Sequence, residues 1–110
     1  MVKDMLEKIN RMKLIVGNPI KVSTYENEKE DEYIGYFVGI YNRKEGKNIT
    51  LTSSKLDAYH LSDKFNIYPQ DSELIKEKFK GIKLEDIIRI RKVRGKFERI
   101  SFAEIMSIKK

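Results

Sequence analysis

The centre of the chain reads Tyr33-Ile-Gly-Tyr-Phe-Val-Gly-Ile-Tyr-Asn-Arg-Lys-Glu-Gly-Lys-Asn-Ile-Thr-Leu51, and this stretch decides the fold. Its first nine residues are apolar on both faces of a strand, with Gly35 and Gly39 on one of them. Glycines inside a strand permit a bulge or sharp coiling, which lets a small barrel close. A turn over 42–47 follows, and 48–52 is the returning strand. This bent hairpin with a polar, basic turn is typical of a binding surface more than a catalytic one.

Upstream of the hairpin, two elements are predicted. Residues 2–13 place apolar side chains at helical spacing and predict an amphipathic helix, which Gly17-Asn18-Pro19 ends. Residues 20–25 alternate as a first strand. The acidic stretch Glu26 to Glu32 reads as a solvated turn, because it lacks the glycine and the ligand spacing of a calcium loop.

Downstream, residues 82–93 are strongly β-like, with Ile88 and Ile90 opposed to Arg89 and Arg91. Residues 96–102 alternate again, although Ser101-Phe-Ala-Glu104 could instead open a C-terminal helix. The pattern therefore predicts a mainly β fold of about five strands after one helix.

Residues 53–80 form an insertion between the third and fourth strands. Asp71 or Ser72 can cap a short helix through Phe79, with Gly81 as its stop. Between 53 and 70 the pattern does not separate strand from loop. We expect a single domain over 1–110, with the N-terminal helix in 1–16 and a helical insertion in 53–80.

Composition bounds the function. The chain has 110 residues and no cysteine, which excludes disulfides, zinc fingers and thiol catalysis. No apolar run approaches the ~20 residues of a membrane span, so we expect a cytoplasmic protein without a membrane partner. His60 is the only histidine, and no phosphate loop or metal-spaced ligand set occurs. The sequence predicts no catalytic residue, no metal and no cofactor.

Positive charge gathers at the C-terminal end. The net charge is +6, and residues 81–110 carry nine Lys or Arg against four Asp or Glu. Such a cluster suits a polyanion, because several cations close together release counterions from phosphates. The alternative is that Arg89 and Arg91 face solvent and pair with Glu85, Asp86 or Glu98. The cluster consists of Arg89, Arg91, Lys92, Arg94, Lys96 and Arg99.

The order of elements resembles the Sm and Sm-like (LSm) family, in which a short helix precedes a strongly bent five-stranded barrel. Residues 35–42, Gly-Tyr-Phe-Val-Gly-Ile-Tyr-Asn, with Asn48-Ile-Thr-Leu51, are similar to the first family motif. Val93-Arg94-Gly95, with Phe97 and Ile100, is similar to the second. The chain departs from the family at the aspartate position, in a longer turn before Asn48, and in the long insertion.

The resemblance implies a function. Asn48 would hydrogen-bond a base edge, Tyr41 would stack on that base, and Arg94 would close the other side or meet phosphate. The partner implied is single-stranded RNA, U-rich or A-rich, bound by a homo-oligomeric ring of subunits joined through their fourth and fifth strands. The implied RNA site comprises Tyr41, Asn42, Arg43, Lys47, Asn48, Arg94 and Gly95, and the electrostatic surface Arg89, Arg91, Lys92 and Lys96.

Other readings stay open at this point. Asn48 can instead satisfy backbone groups of the turn, and Tyr41 can be core or interface filler. The whole chain can be a structural or protein-interaction barrel whose contacts come from 53–80. It can also be a sequence-nonspecific binder of duplex DNA that uses the basic C-terminal strands.

Overall fold

The computed structural model describes residues 2–43 and 46–94. Over these residues the fold consists of five antiparallel strands in one sheet and two helices. The strands are ordered β4-β3-β2-β1-β5, so β4 and β5 are the outermost. The mainly β class and the N-terminal helix are confirmed. The elements are α1 (Val2–Met12), β1 (Pro19–Glu26), β2 (Lys29–Arg43), β3 (Gly46–Thr52), α2 (Lys55–Phe65), β4 (Lys80–Lys83), a 3-10 turn (Leu84–Asp86) and β5 (Ile87–Lys92).

The long strand β2 joins two halves of the sheet. Its first part, Lys29–Tyr36, pairs with β1, and its second part, Tyr36–Arg43, pairs with β3. The register shifts between Phe37 and Gly39, where a bulge changes the strand's course. Only Tyr36 has a partner on both neighbours, so the two halves overlap at a single residue.

A glycine at the bend is required by close approach. A Cβ on Gly35 would stand 2.9 Å from the Leu51 Cβ and 3.1 Å from the Thr52 carbonyl oxygen. β4 also reaches back toward the first half, since the Lys80 ammonium lies 5.3 Å from the ring centroid of Tyr33. Within the described residues no ladder joins β4 to β5, so the sheet is not closed.

Helix α1 packs its apolar stripe on the core. Ile9 is buried, and Met5, Leu6 and Met12 are partly buried against it. The helix ends at Met12, and Lys13 takes the left-handed conformation, with φ 51°. Gly17, with φ 92°, lies beyond the helix rather than at its cap. The predicted extent of the helix is therefore confirmed to within a residue.

The insertion is helical, but its helix is not where the pattern placed it. The helix is α2, over 55–65, and the predicted helix from Asp71 or Ser72 to Phe79 is wrong. Ser54 caps α2 by accepting a hydrogen bond from the Asp57 N–H at 3.1 Å. The Ser72 hydroxyl accepts from the Leu74 N–H at 3.2 Å, within a turn.

The insertion covers the outer face of β3. Thr52 donates its hydroxyl to the Lys78 carbonyl at 2.8 Å, and Gln70 donates from Nε2 to the Thr50 hydroxyl at 3.3 Å. Thr50 and Thr52 are completely buried, as are Ile49 and Leu51, which point to the opposite face. From Asn48 to Thr52, β3 is therefore buried on both of its faces.

The prediction of one strand over 82–93 is wrong. The chain leaves β4 at Lys83, makes the 3-10 turn with Leu84 buried, and enters β5 at the other edge of the sheet. Glu85 and Asp86, both poor strand formers, lie in that turn. The predicted strand or helix over 96–104 lies outside the described residues. Neither described helix has the length and apolar character needed to cross a membrane.

Candidate nucleic-acid interface

The β2–β3 hairpin brings Tyr41 and Asn48 together. Its strands continue to Arg43 and Gly46, which pair with each other, so the turn is shorter than the sequence suggested. Tyr41 lies directly opposite Asn48 in the antiparallel register. Side chains at directly opposed positions share one face of a sheet. The two residues expected to meet one base are therefore neighbours.

Both side chains already have partners inside the protein. The Tyr41 ring contacts Phe65 of α2 edge-on, with centroids 4.9 Å apart. It also folds back over Gly39, where a Cβ would stand 2.7 Å from the Tyr41 hydroxyl. Burial raises the pKa of that hydroxyl, and a hydrogen bond with Ser62 opposes the rise. Tyr41 thus serves to dock α2 on the sheet.

Asn48 is similarly engaged. Its side chain is 5% exposed, and its amide donates to the Gly46 carbonyl at 3.3 Å. This is the bond that an asparagine makes when it supports a turn. A base edge could reach the Asn48 amide only if neighbouring groups moved.

The exposed rim of the hairpin is polar and basic. Asn42 pairs with Lys47 across the strands, and both are exposed, as is Arg43. The Arg43 guanidinium lies across β4, because its Nη1 is 3.3 Å from the place of a Cβ on Gly81. Among the described residues of the rim, Arg43 and Lys47 therefore supply positive charge at this end of the sheet.

Arg94 is not placed beside Asn48 by the sheet. It follows β5, where the Val93 N–H donates to the Pro19 carbonyl at 2.9 Å. Pro19 pairs with Tyr36, which is about 16 Å along β2 from Tyr41 at roughly 3.3 Å per residue. The Val93-Arg94 pair therefore follows β5 rather than joining β4 to β5. Gly95 and Lys96 lie outside the described residues.

A basic groove lies instead between α1 and the β1–β5 pair. It encloses about 390 Å³ and has Ser23, Glu32 and Ile90 in its wall. Lys21 pairs directly with Arg91, and Ser23 with Arg89, which sets the three cations of the sheet side by side. The cations that line the basic groove are Lys8, Lys21, Arg89 and Arg91.

The sequence pointed to half of this groove. Arg89 and Arg91 were expected to face one side of a strand, and they do. The prediction that Ile88 and Ile90 share the face opposite the two arginines is partly wrong, because Ile90 is buried whereas Ile88 is 44% exposed. A register shift between Ser23 and Thr24 takes Ile88 out of the pairing and puts Ile87 in the core. Lys8 and Lys21 become part of the groove through tertiary packing, which no local sequence pattern predicts.

Carboxylates of β2 reach two of the cations. Arg89 donates from Nη2 to the Glu30 Oε1 at 2.8 Å, and the Lys21 Nζ lies 3.4 Å from the Glu32 Oε2. These residues belong to the acidic stretch expected as a turn, but the turn is only Asn27-Glu28, since Glu26 pairs with Lys29. The basic groove keeps an excess of positive charge.

Groups that could hold a metal ion were sought among the described residues. Among residues 2–43 and 46–94, no three His, Asp or Glu side chains lie close enough together to hold a metal ion. His60 is exposed on α2.

The fold and the groove define a class: a small, mainly β protein with a cationic groove beside its sheet. Comparison of the chain with protein-family models, with curated proteins and with solved structures found no match.

Proposed function

We propose that this chain is a non-catalytic protein that binds single-stranded RNA, U-rich or A-rich. The observation that carries the proposal is the basic groove, where four cations from α1, β1 and β5 converge. Clustered Lys and Arg gain affinity for a phosphate backbone by releasing its counterions. A concave groove of this size suits a strand whose bases are free to turn outward.

The hairpin rim supplies the base contacts in this proposal. Asn42, Arg43 and Lys47 are exposed there, and Tyr41 with Asn48 lies just behind them. Since Tyr41 and Asn48 are held by internal contacts, the exposed cations make the first contact. Arg94, exposed beyond β5, is a further cation that would meet phosphate in this proposal.

Assembly into a homo-oligomeric ring is part of the proposal. The outermost described strands are β4 and β5, the fourth and fifth in chain order, and the resemblance implies that subunits join through their fourth and fifth strands. Outer strands carry backbone groups that pair readily with another chain. Size-exclusion chromatography with light scattering tests this part. A monomer at micromolar concentration would remove the ring but not the groove.

The binding test uses fluorescence anisotropy with labelled oligo-U, oligo-A and duplex DNA at several salt concentrations. We expect Arg91→Gln to weaken single-strand binding roughly tenfold at low salt and to lower the salt slope by about 0.7, the value of one phosphate contact. Lys76→Gln removes the same charge from the exposed surface of the insertion and is the matched control. Arg43→Gln tests the rim without disturbing a buried side chain.

The outcomes separate the rival functions. Equal affinity for duplex DNA, with the same loss in Arg91→Gln, would favour a sequence-nonspecific DNA binder. Equal effects of Arg91→Gln and Lys76→Gln would contradict the groove. Absence of binding to all three ligands would contradict the proposed function.

A second candidate, a protein-interaction domain, rests on the insertion. Five large hydrophobic side chains of 53–80 are exposed, which is unusual for one short segment of a small domain. A partner protein would bind there, and nucleic acid would not compete with it. These side chains are Leu56, Tyr59, Ile67, Tyr68 and Leu74.

A further inference from the structure

The basic groove holds its own anions. Arg89 is on β5 and Glu30 on β2, so their 2.8 Å contact crosses over the intervening strand β1. Lys21 meets Glu32 at 3.4 Å from the neighbouring strand. A carboxylate and a phosphate oxygen are interchangeable acceptors for guanidinium and ammonium groups. The two glutamates therefore stand where phosphates of a bound strand would stand.

We propose that Glu30 and Glu32 act as internal competitors of phosphate, which are displaced when a polyanion enters the basic groove. This inference rests on the proposed function of the groove. Exchange at Arg89 comes first, because Arg89 and Glu30 are 63% and 37% exposed, against 24% and 13% for Lys21 and Glu32. Exposed ion pairs are weak, so another anion replaces the carboxylate readily.

The competition selects the class of ligand. A single phosphate that binds at Arg89 must displace the Glu30 carboxylate, so its net gain there is small. A strand offers successive phosphates to Arg89 and Arg91, which are two residues apart on β5, or roughly 6.6 Å. That spacing is close to the distance between neighbouring phosphates of an extended strand. The groove thus favours a polymeric phosphodiester over a nucleotide or free phosphate.

Removal of the competitor tests the inference. We expect Glu30→Gln to bind labelled oligo-U roughly fivefold more tightly at low salt, since a charge at contact distance in water is worth about this factor. Asp63→Asn, which removes a negative charge from exposed α2, is the matched control and shifts the affinity less than twofold. Glu32→Gln removes the corresponding competitor at Lys21 and should also tighten binding.

A double variant shows whether Glu30 changes the affinity through Arg89. If Glu30 acts by occupying Arg89, Glu30→Gln adds nothing in an Arg89→Gln background. An equal gain in both backgrounds, or a gain no larger than that of Asp63→Asn, would overturn the inference. In either case weakened binding by Arg91→Gln would leave the proposed function standing. Loss of the Arg91→Gln effect itself would remove the function and the inference together.

Discussion

The two halves of the sheet differ in what lies on their outer faces. In the charged half, formed by β5, β1 and the Lys29–Tyr36 part of β2, that face carries ion pairs and the basic groove. In the covered half, formed by the Tyr36–Arg43 part of β2, β3 and β4, the insertion buries it. The buried contacts of the insertion can therefore be tested with variants that do not change the residues of the basic groove.

The largest effect on stability is expected from the insertion that covers β3. Leu61 of α2 is completely buried, so Leu61→Ala removes a packed side chain and leaves a cavity. We expect the free energy of unfolding to fall by about 2–5 kcal/mol, measured by urea denaturation. Leu56→Ala, which truncates an exposed leucine of the same helix, is the control and changes it by less than about 0.5 kcal/mol. Equal losses in both variants would show that α2 does not cover the sheet.

The bend between the halves should respond next. Gly35→Ala puts a Cβ 2.9 Å from the Leu51 Cβ and 3.1 Å from a backbone oxygen, neither of which can swing away. We expect a loss of roughly 1–3 kcal/mol. Gly39→Ala meets the Tyr41 ring instead, a side chain that can rotate, so its loss is smaller in the same urea titration. The reverse order would mean that Tyr41 is held more firmly than the β2–β3 backbone.

The bend in β2 could be predicted from the spacing of its glycines, whereas the break between β4 and β5 and the position of α2 could not be predicted from local pattern. Gly35 and Gly39 predict a bent strand, because a Cβ on Gly35 would crowd Leu51 and a Cβ on Gly39 would crowd the Tyr41 ring. The break at Leu84 was missed, since an apolar residue in a 3-10 turn looks like one more strand position. The cap at Ser54 was present in the sequence, but no strong helical periodicity followed it.

The candidate site likewise has a part that local sequence pattern predicts and a part that depends on tertiary packing. Arg89 and Arg91 were visible through strand alternation. Their assembly with Lys8 and Lys21 depends on how α1 and β1 pack, which short-range pattern does not encode. The pairing of Tyr41 with Asn48 follows from hairpin register, but their contacts with Phe65 and Gly46 follow from the fold as a whole.

A smaller effect is expected at the helix cap of the covered half. Ser54→Ala removes the acceptor of the Asp57 N–H and should lower the free energy of unfolding by about 1 kcal/mol. Ser72→Ala removes a hydroxyl that accepts only within an exposed turn, and its effect in the same titration should be close to zero. A larger loss of stability in Ser72→Ala than in Ser54→Ala would show that the segment around Ser72, rather than α2, anchors the insertion.

The smallest effect concerns pH and a partly exposed ion pair within the insertion. Lys64 of α2 lies 3.0 Å from Glu77. Burial raises the pKa of the Glu77 carboxyl, but hydrogen bonds and the charge of Lys64 prevail and hold the pKa below its ordinary value of 4.5. Because the folded state binds this proton less readily than the unfolded state, the pair stabilises the fold above that ordinary value. The contribution disappears as pH falls through the lowered pKa.

Thermal unfolding between about pH 6 and pH 3 measures this contribution. We expect wild type to lose under about 1 kcal/mol more than Glu77→Gln over that range, the limit for a partly exposed pair. Glu73→Gln removes a carboxylate from an exposed position nearby and is the matched control. If Glu77→Gln kept the wild-type pH dependence, the Lys64–Glu77 pair would contribute nothing measurable to stability, and burial of α2 residues such as Leu61 would hold the insertion.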